Sequence, residues 1–281
     1  MESCDHVAQF NIAGTAGLYS TLTGVLAGFA FTALIVLVTF RLQTPDAQIQ
    51  PRFAHSAQLL VAAFLGLTLT SLGYAALSGE PLAVAQGISQ GGAGGRAASA
   101  ELLLGVGFAA CGILLIYAIV HTLDAADAAS AVGSERPMTV IATHLRKFAA
   151  LVMIPLLVAF LFLAAQDYQQ TYYGSFHLSR WLNVLGAILI VSQFAVGCVL
   201  WWREPKTPRT HAGERKLVAY FAYGLLSLVV AAVVAFTALT AVLKACDALP
   251  PSAVVGILAI FSLAAMLSAY VFARSPLQSG L

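Results

Sequence analysis

Seven runs of the sequence are apolar over about 20 residues each, the length a helix needs to cross the roughly 30 Å hydrocarbon core of a bilayer. A segment in lipid must satisfy its own backbone hydrogen bonds, and no run alternates as a barrel strand would. The sequence therefore predicts an all-α integral membrane protein with seven transmembrane helices in one polytopic domain, residues 1–281. The predicted spans lie near residues 17–40, 57–77, 101–123, 148–166, 181–202, 217–243 and 252–272. Pro155 predicts a kink in the fourth span, because proline lacks the helical N–H.

The composition agrees with a lipid environment. Hydrophobic residues make up 60% of the chain and charged residues 9%, whereas about a quarter of the residues in a soluble domain are charged. Most of the surface is therefore expected to contact the lipid bilayer. The net charge of +2 gives no indication of nucleic-acid binding, and we expect none.

The basic residues predict the orientation of the spans. With the N-terminus outside, the cytoplasmic side carries Arg41, Arg52, Arg136, Arg146, Lys147, Arg203, Lys206, Arg209, Arg215, Lys216 and Arg274. The outer side then carries Arg96, Arg180 and Lys244. Because Lys and Arg accumulate in cytoplasmic loops, we predict an outer N-terminus and a cytoplasmic C-terminus. The expected location is the plasma (cytoplasmic) membrane.

This topology separates the four cysteines. Cys4 and Cys246 fall outside, whereas Cys111 and Cys198 fall within the membrane. Disulfides persist in oxidising compartments, so the sequence predicts a bridge between Cys4 and Cys246, with two free thiols as the alternative. The membrane cysteines are expected to be small apolar packing residues.

Uncharged polar side chains in the outer halves of several spans are the leading candidates for ligand binding. The selected residues are Tyr19, Thr21, Thr68, Tyr74, Asn183, Gln193 and Thr237. If these side chains converge, they line an outward-opening cavity for a neutral or amphiphilic molecule. The alternative is that Ser and Thr bond to their own helix or join neighbouring helices. Gln193 lies deeper and is either a clamp between helices or part of a path.

Carboxylates are expected only in loops or at span ends, with Glu101 as the first residue of the third span. Ionisable residues in mid-membrane usually mark ion or proton pathways. Their predicted absence argues against a proton- or sodium-coupled transporter and against an intramembrane aspartyl protease. A retinal protein is also unexpected, because the last span contains no lysine.

A metal site is the candidate on the cytoplasmic side. His121, Asp124 and Asp127 follow one another at steps of three, which keeps them near one face of a helix, and His144 is expected at the same depth. Histidine and carboxylate ligands suit zinc or iron. The chain has no HExxH pattern, and solvated polar helix ends explain these residues as well.

Two further features indicate partners. Gly24 and Gly28 form a small-xxx-small pair, which allows close approach to another span or to a second protomer in a homo-oligomer. The segment Arg203–Lys216 is basic and offers a surface for a cytoplasmic partner or for anionic lipid.

Three functions follow from these features, and the first is favoured. The chain binds or passes a small neutral or amphiphilic molecule, as a channel or facilitator does, without enzymatic activity. Alternatively, it is a sensory or scaffold subunit that uses its basic loop, or a membrane enzyme that uses the His/Asp metal site. The sequence identifies no cofactor.

Overall fold

The computed structural model describes residues 12–43, 50–84, 95–129, 137–173, 176–202, 211–244 and 247–274, and these residues contain helices but no strand. The helices are α1 Ile12–Gln43, α2 Gln50–Val84, α3 Gly95–Ala129, α4 Pro137–Phe148, α5 Ile154–Tyr173, α6 Phe176–Trp202, α7 His211–Val242 and α8 Pro251–Arg274. A π-helical turn, Ala149–Met153, joins α4 to α5. The prediction of an all-α membrane protein with seven spans is confirmed.

The lengths of the helices fit the bilayer. Within the described residues, six helical segments are long and apolar enough to cross a membrane, and α6 contributes the shorter apolar segment Val184–Val199. The fourth crossing, Val140–Gln166, combines the end of α4, the π-helical turn and most of α5. Which end of the bundle faces the cytoplasm stays a prediction from the basic residues.

The fourth span is irregular where the sequence predicts a kink. Pro155 has no N–H, so the carbonyl of Leu151 loses its usual helical partner. Directly before this position the N–H of Ile154 bonds to the carbonyl of Ala149, which is the longer π-helical spacing. Such single π turns inside α-helices are typical local responses to a disturbed hydrogen-bond ladder.

Helix α3 lies at the centre of the bundle. Two-thirds of its most apolar stretch is buried (67%), and it contacts α2, α5, α7 and α8. Glycines allow close packing around it: a Cβ built on Gly73 of α2 would lie 2.5 Å from Leu104 Cδ2 of α3. Small residues at such crossings replace the hydrophobic driving force that lipid does not supply.

Helix α1 lies at the edge of the bundle. It packs along α2 and reaches α3, while large apolar side chains such as Leu18 and Phe29 are exposed on its far side. A helix that is apolar on every face is typical of a membrane span. We call the contact of α1 with α2 and α3, at the edge of the bundle, the seam.

The small residues of α1 do not share one role. A Cβ on Gly24 would lie 3.4 Å from Ser71 Oγ, so Gly24 faces α2 of the same chain. A Cβ on Gly28 would meet no atom within 4 Å, so Gly28 faces open space. Gly24 therefore packs against another span of the same chain, and a homo-oligomer formed through this face stays a prediction.

Candidate functional site

Three of the predicted ligand-binding threonines bond to their own helices. Thr21 Oγ1 donates to the carbonyl four residues earlier at 3.0 Å, and Thr68 Oγ1 does so at 2.8 Å. Thr237 Oγ1 donates to the carbonyl three residues earlier at 2.8 Å, and its side chain is exposed. These bonds match the alternative reading of the threonines as self-satisfied residues of membrane helices.

The two predicted amides lie apart from the threonines. The side chain of Asn183 is outside the described residues. Gln193 is buried between α6 and α8, where its Nε2 donates a long hydrogen bond of 3.4 Å to the carbonyl of Ser262. Its Oε1 and the hydroxyl of Ser262 have no hydrogen-bond partner in the described part of the chain. Gln193 thus links two helices, as the clamp hypothesis expects.

Tyr19 and Tyr74 come together in the seam between α1, α2 and α3. Their rings stack with centroids 5.3 Å apart and planes at 24°. Phe108 of α3 adds a third ring, tilted by 57°, with its centroid 5.6 Å from that of Tyr19. Tyr74 is 2% exposed and Tyr19 is 36% exposed, so the cluster extends from the core to the edge of the bundle.

A pair of serines fixes α1 beside this cluster. Ser20 Oγ donates to the carbonyl of Ser71 at 3.1 Å, and Ser71 Oγ donates to the carbonyl of Ser20 at 2.9 Å. Ser20 directly follows Tyr19 in the sequence, so this reciprocal pair holds the register of α1 on α2 where the rings stack. Hydrogen bonds between membrane helices contribute about 0.6 kcal/mol each on average.

Glu101 lies next to the aromatic cluster. The structure begins α3 at Gly95, so Glu101 is in the second turn of the helix and not at its first residue. Gly105 and Phe108 follow at steps of four and three residues, which places all three on one face of α3. A Cβ on Gly105 would lie 4.0 Å from the hydroxyl oxygen of Tyr74. The Tyr74 hydroxyl therefore lies against the face of α3 that carries Glu101.

The polar groups of this face have no protein partners among the described residues. The Glu101 carboxyl is half-buried and Tyr74 is buried, and neither group forms a hydrogen bond or ion pair with those residues. We call Tyr19, Tyr74, Glu101 and Phe108 the seam site. It combines three aromatic rings, two of which are phenols, and one carboxylate.

A neighbouring polar network holds helices together. Arg96 donates from Nη1 to the carbonyls of Thr240 and Leu243 at the end of α7, at 3.4 and 3.2 Å. A guanidinium suits the carbonyls that a helix C-terminus leaves unpaired. The hydroxyls of Ser99 and Tyr168 lie 2.7 Å apart and join α3 to α5. Arg96 thus engages α7 and does not form an ion pair with Glu101.

The candidate metal site is only partly described. The ring of His121 packs on Tyr117 at 4.7 Å, and an Nδ1 of His144 lies 2.8 Å from the carbonyl of Val140 in its own helix. The side chains of Asp124 and Asp127 are outside the described residues. Within the described part, no three His, Cys, Asp or Glu residues are grouped so that they could hold a metal ion. The metal site stays a prediction.

Two other predictions concern residues that the structure does not describe. Cys4 and Cys246 lie outside the described residues, and the described cysteines, Cys111 and Cys198, are free, with no pair at disulfide distance. The disulfide stays a prediction. The side chains of Arg203–Lys216 also lie outside the described part, so the basic loop remains a sequence hypothesis.

Sequence reasoning selected Tyr19 and Tyr74 but missed Glu101 and Phe108. Glu101 was assigned to the end of a span, where a solvated carboxylate needs no explanation. The signal that could have identified both is the spacing of Glu101, Gly105 and Phe108, which places a carboxylate, a small residue and an aromatic ring along one helix face.

No family model matches the sequence, and neither a curated protein nor a solved structure matches it.

Proposed function

We propose that this multi-pass membrane protein binds a small amphiphilic molecule at the seam site and acts as a channel or facilitator for it. The observation that carries the proposal is the convergence of Tyr19, Tyr74 and Phe108 at the edge of the bundle. Binding sites for small molecules are mostly apolar and aromatic, with a few polar groups that fix orientation. The Tyr74 hydroxyl and Glu101 are the polar groups in this case.

The position of the seam site supports entry from the bilayer. Tyr19 is 36% exposed, and the neighbouring Leu18 and Leu22 on α1 are exposed at 75% and 45%. An amphiphile can therefore lie with its apolar part along α1 and its polar part at the Tyr74 hydroxyl. A solute that entered only from water would not need this exposed apolar surface beside its site.

Photolabelling tests the proposal directly. The full-length protein is purified in a neutral maltoside detergent and labelled with an uncharged, diazirine-bearing amphiphile, and the labelled peptides are mapped. We expect saturable labelling of α1 and α2 around Tyr19 and Tyr74, because the seam site holds the probe there. An even, non-saturable distribution over the lipid-facing helices would contradict the proposal.

A matched pair of variants separates the site from the general surface. Tyr19→Leu removes a ring of the seam site, whereas Tyr223→Leu removes an exposed ring of α7. The backbone carbonyl of Tyr223 accepts a hydrogen bond from Ser227, and the substitution leaves that carbonyl in place. We expect Tyr19→Leu to lower saturable labelling several-fold and Tyr223→Leu to leave it unchanged. Equal effects of the two substitutions would show that the label follows surface aromatics and not the seam site.

A further inference from the structure

The seam site contains a carboxylate that forms no ion pair with the described residues. Glu101 is half-buried in a membrane span, and no cation forms an ion pair with it among the described residues. Taking a carboxylate out of water is unfavourable unless a counter-charge or hydrogen bonds compensate it. The nearby guanidinium of Arg96 bonds to carbonyls at the end of α7 instead. A bound organic cation would supply such a counter-charge.

We infer that the seam site binds an organic ammonium cation, with its charge between Glu101 and the aromatic rings of Tyr19, Tyr74 and Phe108. This inference rests on the proposed function, because it specifies the polar end of the same amphiphile. Aromatic rings attract cations through their negative faces, and quaternary ammonium groups are recognised by groups of such rings. A nearby carboxylate adds an opposite charge at short range.

The side chains of the seam site favour an organic cation over a metal ion. Sodium-like and divalent cations need several oxygen ligands, and calcium takes six to eight. The described seam site offers the two carboxylate oxygens of Glu101 and the phenol oxygens of Tyr19 and Tyr74, together with three aromatic rings. A methylated ammonium group has no N–H to satisfy and is weakly hydrated. It fits a site that has aromatic surface in excess of hydrogen-bond acceptors.

The position of the charge within α3 agrees with this ligand. Glu101, Gly105 and Phe108 lie along one face, and a Cβ on Gly105 would lie 3.3 Å from Leu161 Cδ2 and 4.0 Å from the Tyr74 hydroxyl. The head group would thus lie beside Glu101, and the rings deeper in the bundle would contact its methyl groups. The tail of an amphiphile would lie along the exposed apolar side chains of α1.

Calorimetry with a charged and an uncharged probe tests the inference on the unmodified protein. Choline and its neutral isostere, in which carbon replaces the quaternary nitrogen, have the same shape and differ by one charge. We expect full-length protein in maltoside detergent to bind choline at least about tenfold more tightly than the isostere, because cation–π and carboxylate attraction act on choline alone. Measurable binding of both probes with equal affinity would overturn the inference.

A second arm identifies the source of the ammonium group. Binding of choline as a free solute indicates a soluble cation. If choline does not bind, the protein is placed in nanodiscs of phosphatidylcholine or of anionic phosphatidylglycerol, and native mass spectrometry counts the lipids retained. Preferential retention of phosphatidylcholine indicates a lipid head group with the same chemistry. Absence of both forms of binding would overturn the inference.

Matched carboxylate variants assign the effect to Glu101. Glu101→Gln and Asp247→Asn each remove one negative charge, and Asp247 is exposed and accepts a bond from the Lys244 N–H. We expect Glu101→Gln to weaken choline binding about tenfold and Asp247→Asn to leave it within about twofold. If Glu101→Gln does not fold, the comparison of choline with its isostere on the unmodified protein still tests whether the seam site prefers a cation.

These results also separate failure of the inference from failure of the proposed function. If choline and its isostere bind equally, while Tyr19→Leu still reduces labelling by the uncharged amphiphile, the seam site binds a neutral molecule. The proposed function then stands and the ammonium inference is wrong. If neither probe binds, phosphatidylcholine is not preferentially retained and Tyr19→Leu leaves labelling unchanged, both are wrong.

Discussion

Tyr19 of α1 and Tyr74 of α2 stack with their ring centroids 5.3 Å apart, although 55 positions separate them in the sequence. The stack joins the peripheral helix to the bundle at the same level as the reciprocal Ser20–Ser71 bonds. One tyrosine of the pair is buried and the other is half-exposed, so the contact both holds α1 in place and provides a surface at the edge of the bundle.

The stack itself can be tested through the stability of α1 on α2. Aromatic pairs contribute about 0.5–1.5 kcal/mol beyond the burial of their area. We expect Tyr19→Leu to lower the free energy of unfolding by about that amount, whereas Tyr19→Phe keeps the ring and changes it little. Reversible denaturation in mixed detergent micelles provides the measurement. Equal losses for Leu and Phe would assign the effect to the hydroxyl and contradict the stacking argument.

The serine pair predicts coupling between two positions. Ser20→Ala and Ser71→Ala each remove one donor, and interhelical hydrogen bonds in membranes average about 0.6 kcal/mol. Because the two bonds are adjacent and fix the same register, we expect the double variant to lose less stability than the sum of the singles. Ser227→Ala serves as the control, since its hydroxyl bonds to its own helix. Strict additivity would show that the two bonds act independently.

Two glycines should respond oppositely to alanine. A Cβ on Gly186 would lie 2.8 Å from the Phe162 ring, whereas a Cβ on Gly28 would meet nothing within 4 Å. Overpacking typically costs about 1–3 kcal/mol, and glycine to alanine in an open helix position gains up to about 1 kcal/mol. We therefore expect Gly186→Ala to lower the melting temperature in detergent and Gly28→Ala to leave it unchanged or raise it. A loss for Gly28→Ala would indicate that this face packs against another protomer.

A substitution of Gln193 can distinguish its role as a clamp between helices from its role as part of a path through the bundle. Within the described part of the chain, its side chain forms one hydrogen bond, the long 3.4 Å contact from Nε2 to the Ser262 carbonyl, and its Oε1 is unpaired there. An unsatisfied buried acceptor costs about 1–3 kcal/mol, which offsets the weak bond. We expect Gln193→Leu to be neutral or slightly stabilising in thermal unfolding. A clear loss of stability would mean that water or a ligand satisfies Oε1, as the path hypothesis requires.

Segment lengths and local hydrogen bonding follow from the sequence alone. Apolar runs of about 20 residues dictate helices, because lipid leaves each segment to satisfy its own backbone. The disturbance at Pro155 follows from a missing N–H, and the behaviour of Thr21 and Thr68 follows from carbonyls within their own helices. These are short-range effects, and residue identity together with spacing determines them.

The assembly of the seam site was decided by the tertiary structure. Helix α1 is apolar on every face, so its pattern does not distinguish the side that meets α2 from the side that meets lipid. Lipid tails are as apolar as leucine, and helix rotation is therefore set by close packing and a few polar bonds between helices. Only those contacts bring Tyr19 onto Tyr74 and place the Tyr74 hydroxyl against the face of α3 that carries Glu101, while the side chain of Thr237 is exposed.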